Sequence, residues 1–358
     1  MNISVIIPTF NRPEFLKRAL ESALNQDYDD YEIIVVNDAG CSVKNIIDDL
    51  KSDKIRYIDS KKNLGLPGAR NLGIKNAKGK YICFLDDDDI LYPNHLSLLM
   101  QAMLKEEEEE NCAGVYSDSN QVFINQKREI LYKKIQLSID WQPELFAYSN
   151  YIHVLNYLLK RNVLEELNCF DEKFRFVLED YDLLIRLSEK YYLKHIQITT
   201  AEYTRHIGGS FLNENFNIQA MREYLLKKNH FFFEKYKNKY SEIRIDFFKK
   251  VFERKFEIYK NEILDKKIFL YGTGEAAKII TNILEKNIYH ISGYIQTIVE
   301  DKNKEFNNKP IISCQDFLAD EKLKNETYVF LCVSDLKSIF EIFEIFKENN
   351  YSSFLIAL

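Results

Sequence analysis

The apolar run Tyr81-Ile82-Cys83-Phe84-Leu85 ends in four consecutive aspartates, Asp86 to Asp89. A buried strand cannot carry four adjacent carboxylates, because they repel one another and lose their hydration in a core. The strand must stop there and deliver the cluster to a solvent-facing edge of its sheet. In open α/β folds the edge at the strands' carboxyl ends is where ligands bind. A divalent cation, alone or with a diphosphate, offsets such charge. An acidic turn in water is the plainer reading of Asp-Asp alone; the strand before it and the motifs upstream favour a metal site.

Upstream of this run, strand and helix alternate. Val5-Ile6-Ile7 reads as a strand. Asn11 reads as a helix N-cap, with Glu14 as its capping-box partner and Pro13 in the first turn. Apolar residues then recur at Leu16, Leu20 and Leu24, and at Phe15, Ala19 and Ala23, at helical spacing. Ile33-Ile34-Val35-Val36 is apolar without a break, as in a parallel strand covered on both faces. Ile55 to Ile58 is a weaker strand and Gly68 to Ala77 a short helix. This rhythm predicts an α/β fold with a doubly wound parallel sheet. Pro93 is expected to start a helix reaching about Lys105, and Gly114 to Asp118 a further strand. Residues 125–165 carry little pattern and are expected to hold the variable part of a binding cleft.

With 358 residues the chain accommodates two domains joined by a helical segment. The expected divisions are 1–214, 215–265 and 266–358. In the last, the strand Ile268-Phe269-Leu270-Tyr271 precedes a G-x-G-x-x-A turn through Gly272, Gly274 and Ala277, the pattern of a Rossmann-like phosphate turn. Gln296 closes the second strand where an acidic residue would hold a ribose. A structural or regulatory module is therefore expected, without tight dinucleotide binding.

Composition narrows the function classes. A net charge of -6 argues against a nucleic-acid binder. Six cysteines without C-x-x-C pairing read as reduced thiols of a cytoplasmic protein. The chain opens on a strand, with no signal-peptide pattern, and no apolar stretch approaches the ~20 residues of a membrane span. Between Arg222 and Glu262, 12 Lys or Arg stand against 7 Asp or Glu, interleaved with Phe231-Phe232-Phe233 and Phe247-Phe248. Such a segment suits a packed helical pair or, alternatively, peripheral contact with an anionic membrane at its inner face.

Four segments should converge at the first sheet's carboxyl edge: Pro8-Thr9-Phe10-Asn11-Arg12, Asn37-Asp38-Ala39-Gly40, Asn63 to Asn71, and Leu85 to Asp89. In order and spacing they resemble the nucleotide-sugar half of family 2 glycosyltransferases of GT-A fold, over about residues 1–210. The carboxy-terminal part resembles small Rossmann-like domains attached to bacterial polysaccharide-biosynthesis proteins.

The resemblance implies an inverting, metal-dependent transfer from a nucleotide sugar, a UDP-sugar foremost, to a surface-glycan or lipid-linked acceptor. It places Pro8, Thr9, Phe10, Arg12, Asp38, Gly68, Arg70, Asn71, Asp86 and Asp87 at the donor. Asp38 would accept the uracil N3–H or cap a turn. Phe10 would pack on the base or in the core. Arg70, at a helix start, would face the diphosphate. Asp86 and Asp88 match the family's Asp-x-Asp acids, with Asp88 on Mg²⁺ or Mn²⁺ and Asp86 towards the ribose or the metal's waters. Phe170 to Phe174 and Glu179-Asp180-Tyr181-Asp182 resemble the acceptor-side motifs, with Asp180 as catalytic base and Glu179 orienting the acceptor or the base. The segment Thr204 to Ser210 resembles a later motif, placing His206 at the metal or the diphosphate, or in a structural role. A nucleotidyltransferase would show a glycine-rich first loop, which Pro8 to Arg12 lacks. A non-catalytic nucleotide-sugar scaffold is the other alternative, against which Asp88 and Asp180 speak.

Overall fold

The structure is a computed structural model that describes residues 1–135, 139–175, 177–206, 217–286, 289–299 and 305–357. Its first half alternates β1 (Ile3–Thr9), α1 (Pro13–Leu24), β2 (Tyr31–Asn37), α2 (Lys44–Leu50), β3 (Ile55–Asp59), α3 (Gly65–Asn76) and β4 (Tyr81–Phe84). There follow β5 (Ile90–Leu91), α4 (His95–Lys105), β6 (Cys112–Ile124), β7 (Ile130–Ile135), β8 (Tyr157–Lys160), α5 (Arg161–Glu166), α6 (Glu179–Ser188), β9 (Tyr192–His206), α7 (Ile218–Lys228) and α8 (His230–Tyr236). The main sheet runs β3-β2-β1-β4-β8-β6-β9-β5. β3, β2, β1 and β4 are parallel, while β8 is antiparallel to both β4 and β6.

Every residue of β1 and β2 is buried, which is why neither strand alternates polar with apolar side chains. Their register pairs Thr9 with Asn37, so the two following loops leave side by side. β4 pairs Phe84 with Ile6, and the Leu85 N–H donates to the Ile6 carbonyl at 3.0 Å, which sets the Asp run beside the end of β1. On one face α1 buries Leu16, Ala19, Leu20 and Ala23, and α4 buries Leu96, Leu99 and Met103, against Val5, Ile33, Val35 and Cys83 of the sheet. Those α1 residues belong to the periodicity read from the sequence.

Local details depart from the sequence reading. Asn11 does not cap α1: it sits at φ 54°, and its Oδ1 accepts from the Cys41 N–H at 2.7 Å, tying the first loop to the second. The N-cap position falls to Arg12, without a side-chain cap bond. Pro93 does not open α4, which begins at His95. α3 starts at Gly65, not Gly68, because Gly65 adopts φ +77° and Leu66 N–H donates to the Arg175 carbonyl at 2.7 Å. The strand expected at 114–118 is longer, from Cys112 to Ile124, and the region read as unpatterned contains β7, β8 and α5.

The chain divides into two compact units, one of residues 1–128 with 135–240, the other of residues 129–134 with 241–358. The second unit holds most of α9 (Tyr240–Ile263), then β10 (Lys267–Tyr271), α10 (Glu275–Lys286), β11 (Ile291–Gln296), β12 (Glu305–Phe306), β13 (Lys309–Ser313), α11 (Cys314–Ala319), α12 (Glu321–Glu326), β14 (Thr327–Leu331), α13 (Leu336–Glu348) and β15 (Phe354–Ile356). Its parallel strands lie in the order β13-β11-β10-β14-β15, the doubly wound arrangement of a Rossmann-like sheet. Gly272 takes φ +106° in the turn after β10, and Gln296 Nε2 donates to Thr273 Oγ1 at 2.7 Å, closing that turn from within. Of the basic aromatic stretch, Phe232, Phe247 and Phe252 are buried, whereas Phe231 is 87% exposed. No described helix is long and apolar enough to cross a membrane.

Candidate active site

The turn Asp86–Asp89 is closed by the Asp89 N–H donating to the Asp86 carbonyl at 3.1 Å, and its carboxylates fan out to separate surroundings, with Arg12 shared by Asp87 and Asp88. Asp86 Oδ1 lies 2.6 Å from Arg70 Nη2. Asp87 Oδ2 accepts from Thr9 Oγ1 at 2.7 Å, and its Oδ1 lies 3.2 Å from Arg12 Nη2. Asp88 Oδ2 takes both a hydrogen bond from Arg12 Nη2 and a contact of 3.0 Å with His206 Nε2. Asp89 is buried; its Oδ1 accepts from the Thr204 N–H at 2.7 Å, while Oδ2 is buried with no hydrogen-bond partner.

These environments separate Asp87, Asp88 and Asp89 electrostatically. Burial, opposed by Arg12 and reinforced by the Asp88 charge, pushes Asp87 up to about 7. Burial also acts on Asp88, but His206 and Arg12 outweigh it and hold that carboxyl below its usual range. Asp89 is pushed well up by burial and by its neighbours Asp88 and Asp86. Of Asp87, Asp88 and Asp89, Asp88 therefore stays ionised most readily.

Arg70 is not at a helix start. It lies in the second turn of α3 and is 1% exposed, where an unpaired guanidinium would be costly. Its Nη1 is 2.5 Å from Glu179 Oε1, so one buried cation joins the Asp run to the first turn of α6. Glu179 Oε2 is buried without a partner. Next to it Asp180 Oδ2 accepts from Asn150 Nδ2 at 3.0 Å, and its Oδ1 from the Tyr181 N–H at 2.8 Å. Burial, then the Glu179 charge, raises Asp180 to about 7, the range of an effective base at neutral pH. Leu178 precedes the pair at φ 67°, an uncommon conformation for a leucine, which starts α6 so that Glu179 and Asp180 lead the helix.

The other sequence-predicted residues fall as follows. Asp38 directs both oxygens to the start of α3, accepting from Leu64 N–H at 2.6 Å and Gly65 N–H at 2.9 Å. Pro8 is buried within β1. The Phe10 ring is 43% exposed, so it is not a core residue. Asn71 braces the acceptor-side motif: its Nδ2 donates to the Phe170 carbonyl at 2.9 Å and its Oδ1 accepts from Phe170 N–H at 3.0 Å. Gly68 is buried in α3, where a Cβ would meet the Leu64 side chain. Residues 207–210 of the last motif lie outside the described residues.

The structure also adds residues that carried no sequence signal. Asn150 comes from the unpatterned region, and its own Oδ1 accepts from Ile152 N–H at 3.1 Å, which fixes the face it turns to Asp180. Lys228 lies 2.7 Å from Asp171 and 2.8 Å from Asp182, so α7 holds the acceptor-side motif and α6 together. Neither link has a local sequence pattern, because each joins residues far apart in the chain.

Asp88 and His206 converge on one point, where both could serve a divalent cation. No set of three His, Cys, Asp or Glu side chains with metal-holding geometry occurs among the described residues. Two protein donors suit Mg²⁺ or Mn²⁺ in the mode where substrate phosphates and water complete the shell. Arg12 must leave Asp88 for that to occur.

The profile of glycosyl transferase family 2 matches residues 4–165. An uncharacterized glycosyltransferase of Rickettsia typhi is 31% identical over 237 residues, which cover 63% of this chain and 72% of that one. The glycosyltransferase YwdF of Bacillus subtilis is 31% identical over 232 residues, 64% of this chain and 82% of that one. A GalNAc(5)-diNAcBac-PP-undecaprenol beta-1,3-glucosyltransferase of Campylobacter jejuni is 42% identical over 103 residues, 28% of this chain and 33% of that one. With its sheet, its Asp run and these relatives, this chain belongs to glycosyl transferase family 2 and is a glycosyltransferase of GT-A fold.

Proposed function

We propose that this glycosyltransferase works with inversion, takes its sugar from a nucleotide-sugar donor, a UDP-sugar foremost, and depends on Mg²⁺ or Mn²⁺. The observation that carries this reading is Arg70, which couples Asp86 of the donor-side turn to Glu179 beside Asp180. One buried cation thus ties the donor-side Asp run to the helix start that carries Asp180.

In the proposed reaction the Asp180 carboxylate takes the proton of an acceptor hydroxyl while that oxygen forms a bond to the anomeric carbon. The bond from the anomeric carbon to the diphosphate breaks on the opposite face, and its electron pair leaves with the nucleoside diphosphate. Asp180 ends protonated and returns its proton to solvent. A cation held by Asp88 and His206 would neutralise the leaving diphosphate. Asp38 keeps a lone pair on each oxygen beyond its two backbone bonds, enough for an imide N–H.

The acceptor is proposed to be a glycan or lipid-linked glycan. The Campylobacter relative, named for an undecaprenol-diphosphate-linked substrate, supports that class. The test is a panel of nucleotide sugars incubated with Mn²⁺ and no acceptor, scoring release of nucleoside diphosphate. Hydrolysis of a UDP-sugar that stops in EDTA and in Asp88→Ala is the expected result. Turnover that persists in EDTA, or in Asp88→Ala, would sink the metal assignment.

A further inference from the structure

Arg12 stands where the cation would have to come. Its Nη2 bonds Asp88 Oδ2, lies 3.2 Å from Asp87 Oδ1 and 3.4 Å from His206 Nε2. One guanidinium nitrogen therefore addresses the carboxylate oxygen and the imidazole nitrogen that would hold the metal. The side chain lies over the Phe15 ring, its Cζ 5.1 Å from the centroid, and the same ring stacks on His206 at 4.8 Å. Phe15 thus forms a common floor for the arginine and the imidazole.

Two features show that Arg12 can leave this position. It is the N-cap residue of α1, so its charge sits near the positive end of that helix and is held against the dipole chiefly by Asp87 and Asp88. Its side chain is 31% exposed, and its Nε is buried without a hydrogen-bond partner, a donor that its present position leaves unused. An anionic diphosphate near the start of α1 would suit both the guanidinium and the helix end. A divalent ion at Asp88 Oδ2 and the guanidinium on that same oxygen exclude each other by repulsion and by space.

We propose that Arg12 is a built-in counter-cation: it neutralises Asp87 and Asp88 in the donor-free enzyme, yields Asp88 to the divalent ion, and moves to the donor's diphosphate. Metal and nucleotide then bind cooperatively, because each removes a cost the other would meet. This rests on the metal-dependent donor reading above and extends it to the order of events.

The test titrates Mn²⁺ alone, following the free-ion signal by electron paramagnetic resonance, so that no turnover is needed. In the absence of nucleotide, Arg12→Gln should bind Mn²⁺ roughly tenfold or more tightly than the wild type, within the usual range of coupling between sites. Arg12→Lys, which keeps the charge, should stay near the wild type. Adding UDP should tighten Mn²⁺ binding strongly in the wild type and much less in Arg12→Gln. Adding Asp88→Asn to Arg12→Gln should abolish the gain. Equal or weaker Mn²⁺ binding by Arg12→Gln, or a gain that survives Asp88→Asn, overturns the proposal. Failure of the donor reading itself would appear separately, as metal-independent hydrolysis by the wild-type enzyme.

Discussion

Arg70 Nη1 lies 2.5 Å from Glu179 Oε1, although the two residues are 109 apart in sequence. The guanidinium is 1% and the carboxylate 4% exposed, so neither charge has water to fall back on. Each is tolerated because the other is present, and Asp86 shares the same cation at 2.6 Å.

Arg70→Met should therefore destabilise the protein by about 3–5 kcal/mol, the usual effect of leaving a buried charge without its partner. Adding Glu179→Gln should recover part of that loss. Urea unfolding of the two variants checks the order; a double variant no more stable than the single would show that Arg70 acts by packing alone.

Asp180→Asn keeps the shape of the side chain and removes the proton acceptor. Transfer to the acceptor should fall roughly 10²- to 10⁴-fold with donor affinity little changed. Because the base must be ionised, the wild-type rate should rise as pH passes upward through about 7. The stability consequence has the opposite sign: with its pKa raised in the fold, Asp180 binds its proton more tightly folded than unfolded. Stability should decline as pH rises from the usual carboxylate range towards 7, and Asp180→Asn should flatten that slope. Initial rates and thermal melts across pH 4 to 9 measure both.

Gly65 combines φ +77° with a Cβ position 2.8 Å from the Arg175 carbonyl oxygen. Gly65→Ala should cost about 1–3 kcal/mol, from left-handed backbone strain and displacement of the Leu66–Arg175 hydrogen bond. Calorimetric melting gives the cost. An unchanged melting temperature would mean that the start of α3 shifts without penalty.

Lys255 is 3% exposed on α9, and its Nζ donates to the Ile356 carbonyl at 3.1 Å. Burial lowers its pKa to about 7. Between about pH 7 and the ordinary lysine range the unfolded chain holds the proton that the folded chain has lost, so stability should rise with pH through that window. Lys255→Met should stabilise the protein by a few kcal/mol below pH 7, bounded near ~5 by a shift of this size, with the gain disappearing near pH 10. Chemical denaturation at pH 6 and pH 10 tests the sign; a gain larger at pH 10 would contradict it.

The sequence alone determined the strands and the edge at which they end. Ile33 to Val36 and Tyr81 to Leu85 are apolar without a break because both faces of their strands are covered, and that property is local. The Asp run was legible for the same reason: four adjacent carboxylates have one place to go on such a sheet. What only the tertiary structure decided is which charge faces which. Arg70, expected to face a diphosphate, joins Asp86 to Glu179; Asn71 braces Phe170; Asp38 serves the start of α3; and Asn150 meets Asp180 from a region without pattern. Hydrophobic periodicity is written along one segment, whereas the partner of a buried charge is set by the crossing of segments distant in sequence. A single chain carries no local mark of that pairing.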